Sequence, residues 1–170
     1  LKGCVHNVIP DRIEAGTFMA AAALAGEGVT LRRIRHEHLT AVTHALRKAG
    51  HQVHFNDVGD ACTVHRGDTP MPADILTEPY PGYPTDMQAQ MTALFATTPG
   101  TSVVEDRIFP QRFMHCAELK RMGADIHVAD GKAVIHGVAQ LSAAPVMASD
   151  LRASAALVLA ALTAKGSTEI

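Results

Sequence analysis

Pro84-Thr85-Asp86-Met87-Gln88-Ala89 opens a stretch that continues through Met91-Thr92-Ala93-Leu94-Phe95 and stops at Pro99-Gly100. The same plan occurs twice more. Pro10-Asp11-Arg12-Ile13-Glu14-Ala15 leads into Phe18-Met19-Ala20-Ala21-Ala22-Ala23-Leu24 and ends at Gly26 and Gly28. Ala148-Ser149-Asp150-Leu151-Arg152-Ala153 leads into Ala155 through Ala164 and ends at Gly166. Each copy puts an Asp where a helix should begin, and a carboxylate there accepts bonds from orphan backbone N–H groups. Each ends on a Gly, which tolerates the left-handed position past a helix end. A β-rich stretch follows each one: Val29-Thr30-Leu31, Ser102-Val103-Val104 and Ser167-Thr168-Glu169-Ile170.

The first two copies continue with a second kind of helix. His38 to Ala49 carries Leu39, Val42 and Leu46 on one stripe, with Arg47 and Lys48 near its end. Arg112 to Met122 carries Phe113, Met114, Leu119 and Met122 as its apolar face. These are amphipathic helices with a wet side. Strand pairs follow at Gln52–Phe55 with Cys62–His65 and at Asp125–Val128 with Ala133–His136, joined by turns at Asp57–Asp60 and Asp130-Gly131. The repeating unit is therefore strand, buried helix, strand, amphipathic helix, strand, strand. It occupies about 1–72 and 73–138, with a partial copy at 139–170. A helix that is apolar nearly all round must be enclosed. The pattern predicts an α/β domain with three such helices in the middle and the sheets and amphipathic helices outside. The helix from Leu151 to Ala164 should keep an uncovered apolar flank unless a further segment lies over it.

Composition narrows the function classes. The chain has 170 residues, 47% of them hydrophobic and 19% charged, which gives material for a core and excludes a disordered polymer. A net charge of −2 provides no basic footprint for duplex nucleic acid, and 4% aromatics with no Trp make a base-stacking platform unsuitable. No apolar run approaches the roughly 18 residues of a membrane span. Cys4, Cys62 and Cys116 are too far apart for a zinc knuckle, and an odd count speaks against a disulfide framework. A reducing, cytoplasmic setting is expected. The 10 histidines include His36-x-His38 and His51/His54, but no Cys or carboxylate pair joins them at zinc spacing, so they read as surface histidines.

Longer blocks carry a resemblance. Pro84-Thr85-Asp86-Met87-Gln88-Ala89-Gln90, Arg112-Phe113-Met114-His115 and Asp150-Leu151-Arg152-Ala153-Ser154-Ala155 resemble the enolpyruvyl transferases, in particular the UDP-N-acetylglucosamine 1-carboxyvinyltransferase branch. Ile9-Pro10-Asp11-Arg12-Ile13-Glu14 and Glu118-Leu119-Lys120-Arg121-Met122-Gly123-Ala124 support it, and the likeness covers essentially the whole chain. The resemblance implies an inside-out α/β barrel of βαβαββ units, helices inside and sheets outside, two such domains per protein, and an active site in the cleft between them. It places this chain in the second domain. The N-terminal domain and the final segment of the third repeat are then the missing partners. The implied reaction moves the enolpyruvyl group of phosphoenolpyruvate to the 3-hydroxyl of UDP-N-acetylglucosamine, releases phosphate, and opens peptidoglycan synthesis. It calls for no cofactor or metal.

That chemistry needs a base, an acid, and cations for a carboxylate and a phosphate. By resemblance Asp86 is the general base or proton shuttle beside the sugar hydroxyl; read on pattern alone, it is an N-cap like Asp11 and Asp150. Arg112 and Arg152 are implied to hold the phosphoenolpyruvate carboxylate, a task that suits a planar guanidinium. A solvated helix-start arginine is the plain alternative, and an unfavourable one beside a positive helix end. Asp150 is expected to orient this cluster. Ile108, through its backbone, and Phe109 match positions that contact the nucleotide sugar; Phe109 reads equally as a strand-end residue packed on the core. Arg12 and Glu14 fill the same slot in the first repeat and are expected to be structural, as an ion pair.

The departures are informative too. The family's proton-donating cysteine lies in the other domain, and none of Cys4, Cys62 or Cys116 sits in a matching motif. His115-Cys116 are adjacent, and neighbours on a helix are not expected to face each other. Pro110 and Gln111 replace acidic or amide residues before Arg112. The isolated chain is expected to have no turnover. Two other readings stay open: the sister transferase acting on shikimate 3-phosphate, and a non-catalytic repeat domain that binds an anion or a partner protein.

Overall fold

The computed structural model describes residues 2–170. Three apolar helices, α1 (Arg12–Ala25), α3 (Gln88–Phe95) and α5 (Leu151–Ala161), pack against one another. Every residue of α3 is buried, which makes it the centre of the core. α1 approaches closely because most of its inward face is small, Ala15, Gly16, Ala20, Ala22 and Ala23 beside the larger Met19 and Leu24. A Cβ on Gly16 would lie 2.9 Å from the Met87 sulfur, so glycine there lets α1 reach the chain just ahead of α3.

Two sheets flank the helices. β1 (Val29–Arg32), β2 (Gln52–Phe55) and β3 (Ala61–His65) form the first, in the order β1-β3-β2, all antiparallel. β4 (Ile75–Thr77), β5 (Thr101–Asp106), β6 (Asp125–Ala129) and β7 (Lys132–His136) form the second, in the order β4-β5-β7-β6. There β4 runs parallel to β5, with Thr77 opposite Asp106, and the other pairs are antiparallel. The amphipathic helices α2 (Thr40–Lys48) and α4 (Met114–Arg121) pack on β2 and β6. Both hairpins form as expected. Asn56 Oδ1 accepts from the N–H groups of Gly59, Asp60 and Ala61 in the first. Asp130 and Gly131 both take positive φ in the second, the geometry of a tight two-residue turn.

The sequence pattern needs five corrections. The strand expected ahead of α1 is not formed among the described residues, so the first unit starts with its helix and β1 has no parallel partner. Ser167–Ile170 is not a strand. It is reduced to the parallel bridges Ser142↔Lys165 and Pro145↔Glu169, a frayed echo of β4·β5 with no hairpin beside it. The helix expected to run to Ala164 ends as α5 at Ala161. Finally, α4 starts at Met114 rather than Arg112, and this sets its phase: His115, Cys116 and Leu119 face inward while Met114 is half exposed. His51 is also buried, so neither it nor His115 is the surface histidine expected.

Candidate active site

The first turns of the three apolar helices converge on a cavity of about 390 Å³. Asp11 and Glu14 come from α1, Asp86 and Gln90 from α3 and the turn before it, and Leu151 and Arg152 from α5. Converging helix N-termini present partial positive charge and favour an anion. Asp11 and Asp150 spend their carboxylates as caps. Asp11 Oδ1 accepts from Ile13 N–H at 2.7 Å, and Asp150 Oδ1 accepts from Arg152 and Ala153 N–H at 2.8 and 2.9 Å. Asp150 therefore acts on the cluster through the backbone, by fixing the turn that carries Arg152.

Asp86 does not cap. It sits inside a short 3-10 turn, Thr85–Met87, interposed between Pro84 and α3. Its Oδ1 meets Arg112 Nη1 at 3.0 Å and Arg152 Nη2 at 2.9 Å, with all three side chains half-buried. The plain capping alternative fails at this one position of the three. Arg112 is also stacked, its guanidinium carbon 4.0 Å from the centre of the Phe109 ring. Phe109 is 47% exposed, so it does not pack into the core as the simpler reading had it. Ile108 gives its N–H to Asp106 Oδ1 at 2.9 Å, which leaves its carbonyl as the backbone atom a ligand can use.

Two residues that the sequence reading passed over belong to this region. Gln90 is buried beside the cavity; its Nε2 donates to Thr17 Oγ1 at 3.0 Å and its Oε1 has no partner among the described residues. Asp106 is buried at the end of β5 and collects donors from Thr77, Thr85, Ile108 and Phe109. Its one sequence signal is an acidic residue closing a strand whose other buried positions are apolar or small.

Two expectations are overturned. Arg12 and Glu14 form no ion pair: the Arg12 guanidinium lies 5.2 Å from the centre of the Tyr80 ring, because the chain before α3 passes over the start of α1. His115 and Cys116 do meet, with Nε2 and Sγ 3.6 Å apart, since both turn inward at the start of α4. The contact produces no thiolate. Burial pushes the Cys116 thiol up to about 12, against the weaker opposing charge of Lys120. Burial likewise lowers His115 to about 4, opposed by Asp150. Among the described residues no group of three or more His, Cys, Asp or Glu is placed to hold a metal ion.

The family model for EPSP synthase (3-phosphoshikimate 1-carboxyvinyltransferase) matches residues 1–170. The chain belongs to the EPSP synthase family. Within that family it is 73% identical over 170 residues to a UDP-N-acetylglucosamine 1-carboxyvinyltransferase of Akkermansia muciniphila, covering 100% of this chain and 40% of the relative. It is 50% identical over 168 residues to the protein of the same name from Granulibacter bethesdensis, again 40% of the relative's length. Among solved structures, the enolpyruvyl transferase NikO from Streptomyces tendae superposes with a TM-score of 0.77 at 28% identity, over 91% of this chain and 37% of that one. An EPSP synthase from Acinetobacter baumannii superposes with a TM-score of 0.73 at 18% identity, over 96% of this chain and 39% of that one, a likeness of fold. The chain thus spans about 40% of the length of the curated relatives it matches. No helix among the described residues is long and apolar enough to cross a membrane.

Proposed function

We propose that this chain is one wall of the catalytic cleft of a UDP-N-acetylglucosamine 1-carboxyvinyltransferase. The observation that carries the reading is the Asp86 carboxylate held between Arg112 and Arg152 at the meeting point of three helix N-termini. Around it the rest of the chain forms most of an inside-out α/β barrel, with units at about 1–72, 73–138 and 139–170, and the other domain of the protein closes the cleft. The reaction transfers enolpyruvyl from phosphoenolpyruvate to the 3-hydroxyl of UDP-N-acetylglucosamine. It belongs to peptidoglycan synthesis, hence to cell-wall growth, cell shape and division, in the cytoplasm.

In the addition step the sugar oxygen attacks C2 of phosphoenolpyruvate while C3 gains a proton. Asp86 takes the hydroxyl proton; the acid that protonates C3 comes from the other domain. In the elimination step C3 loses a proton, the C2–O bond to phosphate breaks, and phosphate leaves. Arg112 and Arg152 bind the substrate carboxylate and offset its charge through both steps. Doing so requires them to loosen their hold on Asp86, which frees that carboxylate to accept the proton. Asp150 holds the turn of Arg152, while Phe109 and the Ile108 carbonyl meet the sugar nucleotide. With half of this machinery elsewhere, the 170-residue chain alone does not turn over.

The test is phosphate release by the complete protein, with UDP-N-acetylglucosamine and shikimate 3-phosphate as rival acceptors. Release is expected with the sugar nucleotide only. Asp86→Asn should lower kcat at least about a hundredfold, the lower end of the range for loss of a positioned general base, with the thermal midpoint little changed. A parental rate in Asp86→Asn defeats the assignment and favours a non-catalytic anion-binding domain.

A further inference from the structure

Asp106 is 1% exposed, and a buried carboxylate is costly unless it is fully hydrogen-bonded. Its oxygens take four donors from three separate segments. The Thr77 hydroxyl, at the end of β4, donates to Oδ1 at 2.7 Å. The N–H groups of Ile108 and Phe109 donate to the same oxygen at 2.9 and 2.8 Å. The Thr85 hydroxyl donates to Oδ2 at 2.6 Å. Thr77 Oγ1 in turn accepts from Arg107 N–H at 3.1 Å, which ties down the first residue of the same loop. Burial pushes the Asp106 carboxyl up, but these donors outweigh it and hold it below the ordinary carboxylate range, so it is ionised at neutral pH.

One of the four donors, Thr77, belongs to the sheet itself, opposite Asp106 on β4. β5 is already fixed by its backbone ladders to β4 and β7. The carboxylate also reaches past the end of the sheet to the two segments that carry the site. Thr85 directly precedes Asp86. Ile108 and Phe109 lead into Arg112, whose guanidinium rests on the Phe109 ring. One buried charge therefore spans the gap between the turn of Asp86 and the loop of Arg112.

We infer that Asp106 is a positioning residue, which sets the spacing of Asp86 against Arg112 and the Ile108–Phe109 backbone by holding Thr85 and the 107–109 loop together. It does not itself touch substrate. The inference rests on the site assignment proposed above. It predicts separable effects, because Oδ2 serves the Thr85 turn alone while Oδ1 serves the 108–109 loop together with Thr77. Cutting the Thr85 bond frees the Asp86 turn alone. Neutralising Asp106 weakens both grips.

The experiment uses the complete protein with Thr85→Val, Thr85→Ser and Asp106→Asn, each scored per folded molecule from its melting transition. Thr85→Val should lower kcat about tenfold to a hundredfold, the scale of a displacement near 1 Å, with KM for UDP-N-acetylglucosamine within about twofold of the parent. Thr85→Ser keeps the hydroxyl and should restore kcat. Asp106→Asn should lower kcat and also raise that KM. Hydrogen exchange in peptides covering 107–113 should speed up in Asp106→Asn and stay parental in Thr85→Val. Parental kcat in Thr85→Val together with parental exchange in Asp106→Asn overturns the inference. A purely structural role would lower the folded fraction and leave kcat per folded molecule unchanged, and that result overturns it too. If the parent protein releases no phosphate with either acceptor, the enzymatic reading falls, and the exchange data alone decide whether Asp106 holds the loop. Should Asp106→Asn fail to fold, Thr85→Val and its serine rescue carry the test.

Discussion

Asp11 and Asp86 occupy the same slot in two copies of one repeat and do different work. Asp11 caps α1, whereas Asp86 faces two guanidiniums across a 3-10 turn that has no counterpart before α1. Asp11→Ala is therefore expected to cost about 1 kcal/mol, the usual value for a lost cap. Asp86→Ala should cost less stability, because a half-exposed ion pair contributes little; urea unfolding of both variants checks the contrast. The buried histidines give a second prediction. Burial, assisted by Arg66, lowers His51 to about 4, as burial does for His115. Their folded values lie below the unfolded value of about 6.5, so the unfolded chain binds the extra protons. Their contribution is fully present above pH 6.5 and is lost as pH falls from there toward 4. The urea midpoint should drop across that window, and His115→Gln should flatten the drop. Single-residue roles were the least legible part of the sequence. Pattern made Asp86 a cap, and only the resemblance linked it with Arg112 and Arg152, because residues this far apart in the chain meet through tertiary packing. Asp106 had neither a motif nor a periodicity to mark it.

The elements themselves were largely legible. Long apolar runs opened by Asp and closed by Gly gave α1, α3 and α5, and alternation with a tight-turn pair gave the β6–β7 hairpin. Boundaries and phase were harder. The inward side of α4 depends on where its first turn starts, and Met114 and His115 exchange places if that shifts by one residue. Strand edges depended on partners that a linear pattern does not count, hence the bridges at 165–169 in place of a strand. One packing constraint was hidden in a glycine after β7. A Cβ on Gly137 would lie 1.6 Å from the Thr98 carbonyl oxygen, where the end of the sheet presses on the chain after α3. Backbone cannot yield as a side-chain tip can, so Gly137→Ala is expected to cost about 3 kcal/mol or more. Gly123→Ala meets no atom but keeps a left-handed φ, so it should cost only the conformational penalty of roughly 1 kcal/mol. Denaturant midpoints of the two variants separate these effects.

Across the molecule, apolar side chains are unevenly covered. Leu151 is 76% exposed, and Phe18, Val158 and Leu162 are half exposed on the flank of α1 and α5. This is the uncovered side that the Leu151–Ala164 pattern predicted. The relatives extend well beyond the matched span, and in the complete protein this flank should be buried. Val158→Ser with Leu162→Ser is then expected to destabilise the complete protein by about 2 kcal/mol or more. In the 170-residue chain the same pair should shift stability by less than about 0.5 kcal/mol, as exposed positions do. Chemical denaturation of both forms makes the comparison. The overall layout was legible because repetition supplies it three times over; the cavity was not, since it forms where three helix starts far apart in the chain meet. The outer side of β1, which pairs only with β3 among the described residues, carries a consequence of its own. Its outer backbone donors and acceptors form a template that any extended segment can extend. Strand addition at that edge is therefore the expected route of self-association for this chain, rising with concentration, and a lysine placed at an edge position should suppress it.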